Sequence, residues 1–157
     1  MRLEYFQLID RIVDFNLADR KISAEATIPT TSTIFEGHFP GFPLMPGVLL
    51  IETMAQTSGW LVLAANRFER MAFLVSVREA KFRNFATPGQ VLMAHATLAH
   101  DGSGFAVTSA NITVDGKEIC ETEMTLRLID FPNDEMKQQM RRTAVSVGFP
   151  VEAMIDG

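Results

Sequence analysis

The stretch from Pro46 to about Phe68 constrains this chain more than any other. It has no proline after its start and is apolar on most of its faces, which predicts a helix enclosed by other elements rather than one laid on a surface. Its most apolar part, Val48 to Ala65, is long enough to raise the question of a membrane span. Glu52, Thr53, Gln56, Thr57 and Ser58 interrupt it, and polar side chains of this number are costly in lipid. A buried core helix without membrane insertion is expected, and such a helix needs a sheet around it.

The remaining sequence supplies that sheet. Between Phe6 and Leu17, residues Ile9, Val13, Phe15 and Leu17 fall on one side of a two-residue alternation, with Asp10, Asp14 and Asn16 on the other. After a polar turn at Asp19 and Arg20, Ile22, Ala24, Ala26 and Ile28 alternate with Lys21, Ser23, Glu25 and Thr27, so two half-exposed strands are predicted. Phe35 to Gly47 carries three prolines and three glycines and reads as loop throughout, with Pro46 suited to the first helical turn. Ala72 to Val77 is a continuous apolar run suited to a central strand. Gln90 to His100, Phe105 to Val114 and Lys117 to Ile129 read as strands separated by Asp101-Gly102-Ser103-Gly104 and Asp115-Gly116, both hairpin signals. The tail opens on Pro132 and an Asn133 cap, and Met136 and Met140 lie one turn apart, which predicts a short appended helix. The expected architecture is α+β, a curved antiparallel sheet wrapped around one long helix, known as the hot-dog arrangement.

At 157 residues, 47% of them apolar, the chain can bury one core but not two. A single domain over 1–157 is expected, with its core at about 5–130 and a C-terminal extension at 131–157. A net charge of -5 argues against nucleic-acid binding, which needs an excess of Lys and Arg on one face. A lone cysteine, Cys120, excludes a disulfide framework or a multi-cysteine zinc site and reads as a small apolar filler in a strand. Met1 to Asp10 has Glu4 and Asp10 but no basic start and apolar run, so a cytoplasmic location is expected.

The chemistry concentrates in Glu36-Gly37-His38-Phe39-Pro40-Gly41-Phe42-Pro43-Leu44-Met45-Pro46-Gly47. One histidine, able to take a proton near neutral pH, stands in a rigid loop that feeds a helix N-terminus. Glu52 follows near the start of that helix. There the axial dipole favours negative charge while Leu49, Leu50, Ile51 and Met54 strip it of water, two effects that oppose each other. Gln56, one turn later, is placed to hydrogen-bond Glu52 and orient it. His95 and His100 have no accompanying carboxylates or cysteines and read as structural; no metal and no cofactor is expected.

Gly37-His38-Phe39-Pro40-Gly41-x-Pro43-x-Met45-Pro46-Gly47-Val48-Leu49 followed by Glu52-x-Met54-Ala55-Gln56 resembles the signature of the FabZ group of 3-hydroxyacyl-acyl-carrier-protein dehydratases, and the likeness extends weakly along Phe6 to Asp130. The resemblance implies that His38 is the base and Glu52 the acid in removing water from a (3R)-3-hydroxyacyl thioester carried on the phosphopantetheine of an acyl carrier protein, giving the trans-2-enoyl product for fatty acid biosynthesis. It further implies that the Gly47 N-H receives the enolate oxygen, that the Leu44 carbonyl orients the histidine, and that each site borrows one residue from each chain of a homodimer or a trimer of dimers. A glutamate rather than an aspartate favours the FabZ group over the FabA group. The chemistry suits these residue types, because a weakly acidic C2 proton needs a base beside an oxyanion donor, and departing hydroxide needs an acid.

Phe42, Met45, Met54 and Phe85 are the nearest candidates in sequence for an acyl tunnel. Arg78, Lys81 and Arg83 are candidates for docking an acidic carrier protein. Two departures stand out against the family pattern: the N-terminal helix and Pro-His-Arg type segment are missing, and Phe42 replaces the usual basic residue after Gly41. Lys137, Arg141 and Arg142 of the tail are placed to add a basic surface or a lid over the tunnel, and the tail is expected to modify chain-length preference or carrier choice. The alternatives are a hot-dog thioesterase, which uses a carboxylate and water, and a non-catalytic acyl-binding module. The proline-rich histidine loop favours dehydration over the first, and retention of both ionisable residues and the Gly47 donor argues against the second.

Overall fold

The computed structural model describes residues 1–151. Six strands, β1 (Arg11–Asn16), β2 (Lys21–Thr27), β3 (Arg70–Phe82), β4 (Val91–Gly102), β5 (Phe105–Val114) and β6 (Lys117–Asp130), form one sheet in the order β1-β2-β4-β5-β6-β3. Every neighbouring pair is antiparallel. Three helices accompany them among the described residues: α1 (Thr33–Gly37), α2 (Gly47–Ala65) and α3 (Asp134–Ser146). The β4–β5 and β5–β6 hairpins close on residue pairs with positive φ, Ser103-Gly104 and Asp115-Gly116, the conformation that lets a two-residue turn follow the twist of its strands.

The alternation along the strands builds the hollow that α2 occupies. Across the sheet, Ala24 opposes Ala94, Ala94 opposes Ile112 and Ile112 opposes Cys120, while Ala96 opposes Ala110, and all of these are buried. Rows of small side chains on the inner face let a helix approach closely. α2 packs chiefly on β4, with β3, β5, β2 and β6 around it. Twelve of its nineteen residues are buried, among them Leu50, Met54 and Leu61, each worth about 1.5–3 kcal/mol of burial. The apolar length that resembled a membrane span is therefore the core of the fold.

The polar residues inside α2 are satisfied locally. Thr53 Oγ1 donates to Leu49 O and Thr57 Oγ1 to Thr53 O, both at 2.8 Å, and Thr108 Oγ1 of β5 donates to Ser58 Oγ at 2.9 Å. A buried hydroxyl without a partner would cost free energy, and these bonds remove that cost. His95 Nδ1 and Ser23 Oγ are hydrogen-bonded at 2.8 Å across β4 and β2, a structural contact.

Four expectations change. The first strand begins at Arg11 rather than Phe6, because Leu3–Tyr5 forms a 3-10 turn and Leu8 and Ile9 turn into the core. The loop expected from Phe35 begins later: Phe35, Glu36 and Gly37 close α1, which Ser32 caps by accepting from Ile34 N at 3.1 Å. Pro46 is the N-cap of α2, not a residue of its first turn. β3 is an edge strand rather than a central one, paired only with β6, and Phe73, Leu74, Val75 and Val77 on it are exposed. An apolar run reads the same in a central strand as in an edge left bare for a partner.

Candidate active site

His38 follows α1 directly, at the mouth of a loop that closes on itself. Leu44 N donates to His38 O at 2.9 Å, Phe42 N to Phe39 O at 2.9 Å and Phe39 N to Phe42 O at 3.1 Å. Gly41 takes a positive φ of 74° at the turn, where the absence of a Cβ makes that conformation inexpensive. Met45 N donates to Ala86 O at 2.8 Å, which fastens the loop to the segment after β3. The imidazole stacks on Phe39 with ring centroids 4.2 Å apart, and Nδ1 lies 3.0 Å from Leu44 O. A carbonyl only accepts, so Nδ1 is the donor of this contact, and in the neutral ring it is Nε2 that presents a lone pair. The sequence-predicted partners His38 and Leu44 are thus in direct contact.

The start of α2 supplies two free donors. Pro46 O accepts from Leu49 N and Leu50 N, while the N-H groups of Gly47 and Val48 have no acceptor among the described residues. These are the amides that a helix N-terminus leaves pointing outward, and they favour an oxygen bearing negative charge. Phe82 bounds this position closely, since a Cβ added to Gly47 would stand 3.1 Å from Phe82 Cε1.

Glu52 lies in the second turn of α2 and not in its first. The dipole falls off within a turn, so the helix end acts on the Gly47 amide more than on this carboxylate. Gln56 fixes Glu52: its Nε2 donates to Glu52 Oε1 at 3.0 Å and to Phe6 O at 2.8 Å, and its Oε1 accepts from Leu8 N at 3.2 Å.

Glu52 opens onto a cavity of about 700 Å³. Ala55, Gln56, Gly59, Trp60 and Leu63 continue its wall along α2, with Ala72, Phe73 and Leu74 of β3 and Met140 and Thr143 of α3 around it. His38 does not line this space. Within one chain, the structure joins His38 with Leu44 and Glu52 with Gln56, but it does not bring His38 and Glu52 into a common cavity.

The tunnel candidates stand elsewhere. Met45 and Met54 are packed into the core, while Phe42 and Phe85 are exposed, and none of the four lines the Glu52 cavity. Gly59, Trp60 and Leu63 went unrecognised in the sequence, and of the tail, expected as a lid, Met140 and Thr143 were not assigned to the cavity they line. The spacing of positions 52, 56, 59 and 63 on one helical face was the available signal.

The docking candidates are already paired. Arg78 lies 3.8 Å from Glu123, Lys81 lies 3.8 Å from Glu79, and Arg83 lies 2.8 Å from Glu121 and 3.4 Å from Glu118. The hydrogen bond from Arg83 holds the Glu121 carboxyl below its ordinary value. This strand end is charge-balanced rather than a bare basic patch. In the tail, Lys137 pairs with Glu69 at 3.9 Å and Arg142 donates to Gln139 Oε1 at 2.8 Å. Residues 152–157 of the extension lie outside the described residues.

The FabA-like domain family matches residues 2–123. The 3-hydroxyacyl-[acyl-carrier-protein] dehydratase FabZ of Chlamydia pneumoniae is 34% identical over 128 residues, which is 80% of this chain and 84% of that protein. FabZ of Latilactobacillus sakei is 39% identical over 119 residues, covering 75% of this chain and 84% of that protein. FabZ of Solibacter usitatus is 33% identical over 152 residues, 96% of this chain and 89% of that protein, so its likeness reaches into α3.

Among solved structures, the dehydratase heterocomplex ApeI:P of Xenorhabdus doucetiae superposes with a TM-score of 0.62 at 17% identity, over 86% of this chain and 90% of that one. A thioesterase of Haemophilus influenzae superposes with a TM-score of 0.60 at 15% identity, over 78% and 79%. At such identities the superpositions establish the hot-dog fold alone. The sequence matches go further: the chain belongs to the FabA-like family, among its FabZ-type 3-hydroxyacyl-[acyl-carrier-protein] dehydratases.

Proposed function

We propose that this protein removes water from (3R)-3-hydroxyacyl thioesters of acyl carrier protein, giving trans-2-enoyl thioesters for fatty acid biosynthesis in the cytoplasm, at sites shared between two copies of the chain. The observation that carries this reading is the pair of oriented groups, an imidazole whose Nδ1 proton is engaged by Leu44 O and a carboxylate held by Gln56 at the mouth of a largely apolar cavity.

His38 Nε2 takes the C2 proton, and the electron pair moves toward the thioester oxygen, where the Gly47 N-H receives the charge. The electrons return to form the double bond between C2 and C3 as the hydroxyl leaves from C3. Glu52 in its acid form gives that hydroxyl a proton, so that water departs. The proton gained by His38 and the one lost by Glu52 balance, and exchange with solvent resets both. Contributions of this kind are each worth about 100-fold to 10000-fold in rate.

The shared site is supported by two features. His38 is absent from the wall of the Glu52 cavity, and β3 leaves an apolar edge at Phe73, Leu74, Val75 and Val77 of the type that pairs with a symmetry mate.

Incubation of the purified protein with a 3-hydroxyacyl carrier-protein thioester tests the reaction, with mass spectrometry of the carrier as the readout. Loss of one water from the acyl group is expected. Release of the free carrier thiol would make the protein a thioesterase, and unchanged substrate would make it a binding module.

A further inference from the structure

The cavity behind Glu52 has an unusual floor. It follows one stripe of α2 from Glu52 through Gln56, Gly59 and Trp60 to Leu63, a run of about 16 Å at the helical rise. In the middle of that stripe stands a glycine. Gly59 has an ordinary helical backbone, and a Cβ added there would meet no atom within 4 Å. Neither strain nor close packing requires glycine at this position, and glycine weakens a helix interior. What a side chain would do here is fill the cavity.

The facing wall is α3 with its C-cap residue: the helix contributes Met140, Thr143 and Ser146, and the cap contributes Val147. Thr143 Oγ1 donates to Gln139 O at 3.1 Å and Ser146 Oγ to Thr143 O at 2.7 Å. Both hydroxyls are thereby turned back onto the helix, leaving a wall suited to a hydrocarbon rather than to a polar chain end. The helix is firmly seated. Ile12 N donates to Val147 O at 2.7 Å and Phe149 N to Ala144 O at 2.8 Å, Gly148 makes the turn with a φ of 74°, and the Phe149 ring packs on Phe15, Trp60 and Phe68.

We infer that Gly59 and α3 together set the length of acyl chain that the site accepts, the hydrocarbon end lying between Gly59, Trp60, Leu63 and Met140. The inference rests on the dehydratase reading for the identity of the substrate, and it names a part of the chain beyond the motif as the specificity element.

The test uses full-length wild type, Gly59→Leu, Gly59→Ala and Met140→Ala. Each is measured on carrier-protein thioesters of 3-hydroxybutyryl, 3-hydroxyoctanoyl, 3-hydroxydodecanoyl and 3-hydroxyhexadecanoyl groups. Equilibrium binding of the same four acyl groups as non-hydrolysable thioether analogues is measured beside turnover. Filling a pocket by single methylenes changes discrimination by about 10-fold to 200-fold. Gly59→Leu is therefore expected to raise the ratio of kcat/KM for the butyryl over the dodecanoyl substrate by about tenfold or more. Gly59→Ala moves the ratio less in the same direction and raises Tm, and Met140→Ala moves it the opposite way. Length profiles of Gly59→Leu and Met140→Ala that run parallel to wild type in both turnover and binding would overturn the inference. Wild type that binds by length, with the variants shifted as stated but without enoyl product from any substrate, would retire the dehydratase reading while supporting the length-setting wall.

Discussion

Gln56 Nε2 donates to Glu52 Oε1 at 3.0 Å, one turn along the same helix, while its remaining amide bonds run to Phe6 O and Leu8 N in the N-terminal segment. The carboxylate is thus tied, through one neutral side chain, to backbone that lies far from it in sequence. Gln56→Leu is expected to lower kcat with a smaller effect on KM, because Glu52 loses its orientation and not its place. It also leaves the N-H of buried Leu8 without a partner, which costs about 1–3 kcal/mol of stability. Gln56→Glu keeps an acceptor for Leu8 N but has no proton for Glu52 or Phe6, so it should recover part of the stability and little of the kcat. Thermal melts beside steady-state kinetics separate the two effects; equal recovery of both would count against a positioning role.

His38→Ala and Glu52→Gln are each expected to reduce turnover by 100-fold or more, as the loss of a general base or acid does. Their mixture is more informative. If a site takes His38 from one chain and Glu52 from the other, a heterodimer of the two variants has one intact site, and random re-association after co-refolding restores about a quarter of wild-type activity. No recovery on mixing, with dimers exchanged, would place both residues within a single chain's site.

Much of this fold was legible because period-two patterning is strict where one face is buried. Ile22, Ala24 and Ala26 predicted β2, and the two glycine-bearing turns predicted the meander that ends in β6. The edge position of β3 was not legible, since Phe73, Leu74, Val75 and Val77 are apolar whether a neighbouring strand or another chain covers them. α1 was hidden because Phe35 to Gly37 adjoins a proline-rich loop, and the cue was the Ser32 cap upstream of it. The site divides in the same way. Gln56 lies one turn from Glu52, and that spacing made their contact readable. The contact of His38 with Leu44 was implied by the family resemblance, and the bonds of Gln56 to Phe6 and Leu8 span some fifty residues and were not legible. The cavity wall joins α2 to α3 across some eighty residues of sequence, and no local pattern announces a contact of that range.

Gly47 faces the Phe82 ring closely, 3.1 Å from an added Cβ to Cε1, so a methyl group there requires the ring or the helix start to give by a few tenths of an ångström. Gly47→Ala is expected to shift the ring or the helix start by that amount and to cut kcat by up to about 10-fold, less than the roughly 100-fold that a full 1 Å misplacement at a reacting centre costs. Phe82 is half exposed, so shortening it is tolerable, and Gly47→Ala combined with Phe82→Leu should regain a substantial part of the loss. A double variant no better than the single one would show that the alanine acts on the helix itself.

Phe149 is 3% exposed and touches the rings of Phe15, Trp60 and Phe68 at centroid distances of 5.0, 6.1 and 5.6 Å. Phe149→Ala removes the anchor of α3 and should destabilise the protein by about 3–5 kcal/mol, the range for emptying a buried phenylalanine site. Denaturant unfolding measures it directly. A change below about 1 kcal/mol would mean that the tail is not integrated into the core in solution.

Cys120 gives a pH-dependent prediction with a definite sign. It is buried, on β6 opposite Ile112, and loss of hydration raises its thiol from an ordinary value of 9.0 to about 12. The thiolate is the nucleophile, so a native protein at pH near 8 should resist alkylation by iodoacetamide, with modification following unfolding. The unfolded chain releases this proton from about pH 9 upward while the folded chain retains it to about 12. The unfolded state therefore binds fewer protons in that window, and stability falls as pH rises through it. The measurement is the difference between wild type and Cys120→Ala, which isolates the thiol, followed by denaturant midpoint against pH. The gap in stability between the two proteins should be constant below pH 9 and shift against wild type above it; a gap that stays constant across the whole range would show that the thiol is hydrated in the native state.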